Sequence, residues 1–320
     1  MKIALIKSYS SKPWRSKETY NLIENSLKKN WEVFPISTST QNVLINNLIR
    51  LKSDGRGRLF VFNIAEFLDD DSKEDFIPGI LEMLKTPHLG SSAKAIQKGL
   101  DKGITKQILE LHKIPTPKYF KCYGDESILL EQAKAIGFPL IVKPIKEGGH
   151  IGITEKSIVH DYESLEIAVE DVFDKYDQPA LVEEFLTGSG MREFSVGIMD
   201  GKTRQFAPIE IDYDSMNVGE KILSYEAAQQ DLEKVKPVRE KRVLNEINSL
   251  AERTFDAIGA NDYSRIDIRM DHSGFYVLEI NVMPGLGPKS FLPEAMKNLY
   301  GLDHGQFIRK LTMESIERQF

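Results

Sequence analysis

The 320-residue chain has a single cysteine, Cys122. One thiol excludes an internal disulfide and a cysteine metal cluster, which fits a reducing compartment and a packing role within a strand. Long apolar runs are missing too. Nothing approaches the roughly 18 residues needed to span a bilayer, and the N-terminal Met-Lys-Ile-Ala-Leu-Ile-Lys run is too short for a signal peptide. With no address and no span, the cytoplasm is expected and a membrane partner is not. Basic charge is in deficit, with 42 Lys plus Arg against 48 Asp plus Glu; the net charge of −6 would repel a phosphate backbone, so no nucleic-acid partner is expected. Three catalytic signatures are absent as well. Neither G-x-x-x-x-G-K-[ST] nor G-x-G-x-x-G nor H-E-x-x-H occurs, which removes support for P-loop, Rossmann and zincin readings.

What is present is an ordinary globular composition, 41% hydrophobic and 28% charged, in a chain long enough for two or three subdomains. Residues 2–7 read as a buried strand, and Ser16 to Lys29 place Tyr20, Leu22, Ile23 and Leu27 at near-helical spacing. The alternation continues through Trp31–Ile36, Asn42–Leu51, a strand over Arg58–Ala65 and a short helix over Pro78–Leu84, arguing for a parallel sheet flanked by helices. A second unit opens near Leu89-Gly90-Ser91-Ser92. It runs through helical stretches around Gly103, a stiff break at Pro115-Thr116-Pro117, a strand Phe138–Pro144, the loop Lys146–Gly152, a strand to about Val159, a helix Tyr162–Tyr176 and a strand Pro179–Phe185. Thereafter a hairpin over Glu193–Ile211 turns at Asp200-Gly201. Residues 212–238 break the rhythm and read as a functional loop, and a helix from about Val238 to Ile258 leads into strands Ser264–Met270 and Gly274–Asn281. The implied units are 1–90, 91–187 and 188–320.

Three groups of residues could carry chemistry. Arg265-Ile-Asp267 and Glu279-Ile-Asn281 lie on hairpin partners, and residues two apart on a strand share a face, so the four side chains can converge. Asp, Glu and Asn are hard oxygen ligands suited to Mg²⁺; a single Arg-x-Asp is usually only a surface ion pair, but the facing Glu-x-Asn and the following Met283-Pro-Gly-Leu-Gly-Pro288 loop favour a site. Lys143 ends a strand before Glu147-Gly148-Gly149-His150-Ile151-Gly152, whose backbone N–H groups could cradle phosphate, although such loops are more often simple turns. Glu183-Glu184-Phe185-Leu186 ends another strand, where backbone groups could meet an adenine edge and a carboxylate a ribose. Lys102 alone would be read as a solvent-exposed helical lysine, and His150 as polar loop surface.

In order along the chain, Val61–Glu66, Ile80–Leu84 through Gly90-Ser91, Leu100-Asp-Lys102 with Thr105-Lys106, Val142-Lys-Pro144, Glu147-Gly148, Arg265-Ile-Asp267 and Leu278–Asn281 resemble the ATP-grasp superfamily, most closely its D-alanine–D-alanine ligase-like branch. The resemblance implies an α/β (α+β) ATP-grasp fold, an N-terminal parallel-sheet domain followed by two α+β subdomains that clamp ATP. It implies a ligase that joins a carboxylate to an amine, both small molecules and most plausibly amino acids, through an acyl phosphate, with release of ADP and phosphate, and a homodimer. Lys102, Lys143 and the Glu147-Gly148-Gly149 loop would meet the ATP phosphates; Glu183, Glu184, Phe185 and Leu186 would meet adenine, and Glu193 ribose. Asp267, Glu279 and Asn281 would hold one or two Mg²⁺, with Mn²⁺ as a substitute. Arg265 would stabilise developing charge, and Ser290 would meet a substrate carboxylate.

The pattern departs from that branch on the substrate side. The family's Gly-Gly-x-Ser-x-Glu-Arg stretch is replaced by Ser8–Glu18, where Glu18 is a candidate amino-group ligand and Lys12, Arg15 and Lys17 point to an acidic group on one substrate. Glu-Gly-Ser-Ser has become Glu147-Gly148-Gly149-His150, which makes His150 a candidate catalytic residue. The family's Tyr-Glu-Ala-Lys-Tyr aligns with Tyr225–Gln229 without its lysine, for which Lys221 is the candidate replacement. A ligase with a different substrate pair is therefore expected, ahead of an authentic D-alanine–D-alanine ligase and of a non-catalytic ATP-binding regulator.

Overall fold

In the computed structural model, residues 2–7 form strand β1 (Lys2–Lys7), buried along its whole length because helices cover both of its faces. Ile3 and Leu5 pack with Tyr20, Ile23 and Phe307, whereas Ala4 and Ile6 pack with Leu44, Leu48, Ile77 and Leu81. Strands β2 (Glu32–Ser37) and β3 (Leu59–Phe62) pair with β1 in parallel, in the order β2-β1-β3. The model describes every residue except 56, 70, 71, 125, 217–219, 224, 225 and 227–233. Strand β3 is shorter than its apolar pattern suggests, since Asn63 closes a turn on its own backbone: Nδ2 donates to the Ala65 carbonyl at 2.7 Å and Oδ1 accepts from the Ala65 N–H at 3.2 Å.

A second, antiparallel sheet contains β4 (Tyr119–Cys122), β5 (Leu140–Pro144), β6 (Ile158–Val159) and β7 (Ala180–Glu184), in the order β4-β7-β5-β6. Leu140, Val142, Ala180 and Val182 face Leu165, Val169 and Val172 of the helix Tyr162–Tyr176, and buried Cys122 packs in the same cluster. Strand alternation then turns Ile141, Lys143 and Glu183 to the other face.

The third sheet holds β8 (Arg192–Met199), β9 (Gln205–Ile211), β10 (Val235–Pro237), β11 (Tyr263–Met270) and β12 (Phe275–Asn281), in the order β10-β9-β8-β11-β12. Phe194, Val196, Ile198, Ile266, Ile268 and Val277 lie against Ile247, Leu250, Ala251 and Phe255 of the helix Lys241–Ile258. The opposite face carries the polar residues. Residues 212–238, read as one loop, include a 3-10 turn at Tyr213–Ser215 and the short β10; of the Tyr225–Gln229 motif, all but Glu226 lie outside the described residues.

Helices Phe291–Tyr300 and His304–Gln319 complete the chain. The last of these joins the first domain through Ser26, whose hydroxyl donates to the Gly305 carbonyl at 2.7 Å. Asp262 fastens the same region: its carboxylate accepts from the Gly90 N–H at 2.7 Å, from Arg318 Nε at 2.8 Å and from the Ser315 hydroxyl. Among the described residues, no helix is long and apolar enough to cross a membrane.

Candidate active site

The polar faces of the second and third sheets line one cleft. One wall carries Ile141, Lys143 and Glu183–Leu186; the other carries Glu193, Asp267, Arg269, Leu278 and Glu279, with Ile222 and Leu223 between them. The cleft has an apolar end and a charged end. An adjoining pocket brings Glu66, from beyond the edge of the first sheet, to Lys102, Glu147, Gly148, Glu279 and Asn281.

Glu183 organises the lysine wall. Its Oε2 accepts from Lys106 and from Lys143, each at 3.2 Å, while its buried Oε1 has no partner among the described residues. Burial alone would raise this carboxyl, but the ammoniums of Lys106 and Lys143 reverse that and hold it below the ordinary range. Lys106 is fully buried and also donates to Thr116 Oγ1 at 2.7 Å. Desolvation outweighs the attraction of Glu183 and lowers its ammonium to about 8. Lys102 opens the helix Lys102–Leu111; it donates to the Glu147 carbonyl and stands 3.7 Å from Glu279. Rather than the exposed helical side chain of the bland reading, it is 7% exposed and points into the site.

The register of β11 with β12 sets Arg265 opposite Asn281 and Asp267 opposite Glu279, so the four side chains converge as their spacing predicts. Arg265 grips Asp267 in a fork, Nε to Oδ1 at 2.9 Å and Nη2 to Oδ2 at 2.8 Å. Ser195 on β8 donates to Asp267 Oδ1 at 2.6 Å, and Asn281 Nδ2 donates to Asp267 Oδ2 at 3.1 Å and Glu279 Oε1 at 3.4 Å. Burial would raise the Glu279 carboxyl, but Lys102, His150, Lys143 and Arg265 bring it down to about 2, so it is ionised at any physiological pH. Two carboxylates and an amide side chain are donor types that suit Mg²⁺, and here the Asn281 amide turns its nitrogen to both carboxylates. Among the described residues, no group of three or more His, Cys, Asp and Glu is placed to hold a metal, here or elsewhere.

The loop after β5 turns through positive φ at Gly149 (64°), His150 (62°) and Gly152 (79°). At Gly152 a Cβ would fall 2.5 Å from Pro144 Cγ, so glycine is required there both by conformation and by space. His150 is half-buried, and it feels Glu279, Arg265, Asp267 and Glu193; desolvation lowers its imidazole from the ordinary value. Glu147 accepts from Lys73 at 2.8 Å and from Gln178 at 3.0 Å, which anchors the start of the loop.

At the apolar end, the Glu184 and Phe185 N–H groups donate to the Lys118 and Pro139 carbonyls at 2.8 and 3.0 Å, fixing the segment that follows β7. Glu193 sits across β8 from Arg269, whose Nε donates to it at 2.9 Å, and the Tyr213 hydroxyl donates to the same oxygen at 3.1 Å.

Other expected residues take different positions. Lys221 directs its ammonium to Asp214 at 3.0 Å and is 47% exposed, so its backbone rather than its charge belongs to the cleft. Arg15 is fully buried and donates to the Ser8 carbonyl at 2.9 Å and to the Phe67 carbonyl, which makes it a brace of the first domain rather than a ligand for an acidic substrate. Lys17 and Glu18 are exposed on the first turn of their helix. Ser290 accepts from the Gly287 N–H at 3.1 Å, beside the Trp14 ring, whose Cγ leaves only 2.7 Å for a Cβ at Gly285.

Sequence reasoning passed over Lys106, Arg269, Ser195 and Trp14. The first two had a signal: Lys106 is one helical turn from Lys102, and Arg269 continues the alternation Arg265, Asp267 along β11.

The family model described as the D-ala D-ala ligase C-terminus matches residues 113–313. A D-alanine–D-alanine ligase from Syntrophotalea carbinolica is 32% identical over 242 residues, covering 73% of this chain and 72% of that protein. A crystal structure of a D-alanine–D-alanine ligase from Bacillus anthracis complexed with ATP superposes with a TM-score of 0.75 at 24% identity, covering 99% of this chain and 97% of that one. The VanG D-Ala:D-Ser ligase from Enterococcus faecalis does so at 0.72 and 21%, covering 98% and 99%.

Proposed function

Since the chain belongs to the D-alanine–D-alanine ligase family of ATP-grasp enzymes, we propose that its cleft binds Mg-ATP as described below and serves a substrate pair other than two D-alanines. The reaction class is that of the family, formation of a carbon–nitrogen bond between a carboxylate and an amine with release of ADP and phosphate.

The observation that supports the nucleotide reading is the buried Oε1 of Glu183, a residue that lines the cleft, which has no hydrogen-bond partner among the described residues. A buried acceptor without a donor costs about 1–3 kcal/mol, and the exocyclic amine of adenine is a donor of the right kind. Leu186, Phe185, Ile222 and Ile141 flank it with apolar surface suited to a base. Lys143 and Lys102, with the Gly148-Gly149 loop, then take the phosphates, and Glu193 the ribose. Asp267, Glu279 and Asn281 would hold Mg²⁺, whose charge would offset that of the phosphoryl oxygens.

The chemistry needs no protein nucleophile. A carboxylate is a poor electrophile until phosphorylation supplies a leaving group, and positioning with charge stabilisation accounts for the catalysis. Arg265, held rigid by Asp267, presents fixed positive charge where a tetrahedral oxyanion would develop. His150 stands on the phosphate loop near Arg265 and Glu279, within electrostatic reach of the transferring group.

The substrate side supports a changed pair. Gly149 removes a hydroxyl from the loop, the Lys221 ammonium is engaged by Asp214, and Trp14 fills space over Gly285 and Gly287 beside Ser290. The experiment is release of ADP and phosphate by purified protein with Mg-ATP, screened against pairs of D- and L-amino acids with mass detection of product. A pair other than two D-alanines is expected to give an amide; efficient D-alanyl-D-alanine synthesis would overturn the changed-substrate reading.

A further inference from the structure

Arg269 stands one strand position beyond the Arg265-Asp267 pair and belongs neither to the metal site nor to the phosphate site. It is 4% exposed, and its guanidinium reaches three separate parts of the cleft. Nε donates to Glu193 Oε2 at 2.9 Å, Nη1 donates to the Leu186 carbonyl at 3.1 Å, and Nη2 donates to the Lys221 carbonyl. The Phe185 ring lies under it, with the guanidinium carbon 4.9 Å from the ring centroid. One planar fork therefore joins the segment after β7, the carboxylate on β8 and the segment that carries Ile222 and Leu223.

From this arrangement we infer that Arg269 is the positioning residue of the nucleotide pocket: it holds Glu193, Leu186 and the Lys221–Leu223 wall in the one arrangement that fits a nucleoside. The inference rests on the reading that the cleft binds ATP. Leu186 and Lys221 are loop residues whose carbonyls would turn toward water without a donor, and Glu193 would be left buried with only the Tyr213 hydroxyl. Lysine cannot replace the fork, since one ammonium carries a point charge and cannot span two carbonyls and a carboxylate together.

The test is titration calorimetry of wild type, R269K and R269M with ADP and Mg²⁺, alongside steady-state kinetics with the pair found in the substrate screen. Losing charge-assisted hydrogen bonds should raise the ADP Kd about tenfold or more in R269M, with R269K between the two. The KM for ATP should rise in step, while kcat at saturating ATP and the KM for the amine stay within about twofold. That split separates positioning of the nucleotide from a general loss of structure. R269M binding ADP as tightly as wild type overturns the inference, as does a parallel fall in kcat and every affinity. Should R269M fail to fold, R269K decides: weaker binding supports the inference and wild-type affinity refutes it. Wild type that binds no nucleotide overturns the reading of the cleft itself, and this inference with it.

Discussion

Lys106 offers a stability prediction whose sign opposes the usual expectation for an ion pair. Its ammonium is fully buried against Glu183, yet desolvation brings it down from 10.5 to about 8. Between those values the folded chain has released a proton that the unfolded chain still holds, so stability rises with pH across that window. At pH 7.5 most folded molecules still carry the charge, and the gain has barely begun. By pH 9.5 the two-state expression for one group, with 1.36 kcal/mol per unit, yields about 2 kcal/mol relative to pH 7.5. K106M has no such group. The stability gap between wild type and K106M, measured by urea unfolding at pH 7.5 and 9.5, should therefore move in favour of wild type by about 2 kcal/mol. Taking the difference cancels the tyrosines and the remaining lysines. A flat gap would mean that Lys106 titrates at or above its ordinary value, with Glu183 cancelling the effect of burial.

Three further substitutions test separate parts of the structure. E279Q should lower kcat/KM by about a hundredfold or more and raise the Mg²⁺ concentration needed for half-maximal rate, because it removes one of the two carboxylates proposed to hold the metal, beside Lys102; unchanged metal dependence would remove Glu279 from the site. G285A places a methyl 2.7 Å from Trp14 Cγ, so it should cost about 1–3 kcal/mol in urea unfolding and be partly relieved in a W14A background. D262A should cost about 3–5 kcal/mol, since it strands Arg318, Ser315 and the Gly90 N–H and puts alanine at φ 63°; a loss below about 1 kcal/mol would show that the Asp262 contacts carry little.

Much of this architecture was legible because period-two patterns place residues without any knowledge of the fold. The alternation in Arg265, Asp267, Glu279 and Asn281 predicted their convergence, and the cross-strand register delivers it. Two kinds of feature resisted. Lys102 and Lys106 look like the exposed face of a helix, and long-range partners bury them, Glu183 for Lys106 and the Glu147 carbonyl with Glu279 for Lys102. Arg15, by contrast, reads as a surface cation and is instead the brace of its own turn, because carbonyls from Ser8 and Phe67 converge on it from residues 7 and 52 positions away. Long-range carbonyl partners of this kind leave no mark in local sequence pattern.

The same contrast bears on how the two halves of the site can change. Glu183, Lys106, Lys143 and Glu193 are bound to one another or to Arg269, so altering one leaves a buried charge behind, at a cost of several kcal/mol. The substrate side is built otherwise. Trp14 contacts glycines, Ser290 holds a backbone N–H, and Lys221 sits at the surface with Asp214. None of these leaves an uncompensated buried charge when replaced, and a surface pair such as Lys221–Asp214 contributes about 1 kcal/mol or less. On the proposed reading, a ligase of this design can exchange its substrates at low cost while its nucleotide side stays locked, in keeping with departures from the family pattern at Ser8–Glu18, Gly149-His150 and Tyr225–Gln229 rather than at the lysines and carboxylates of the cleft.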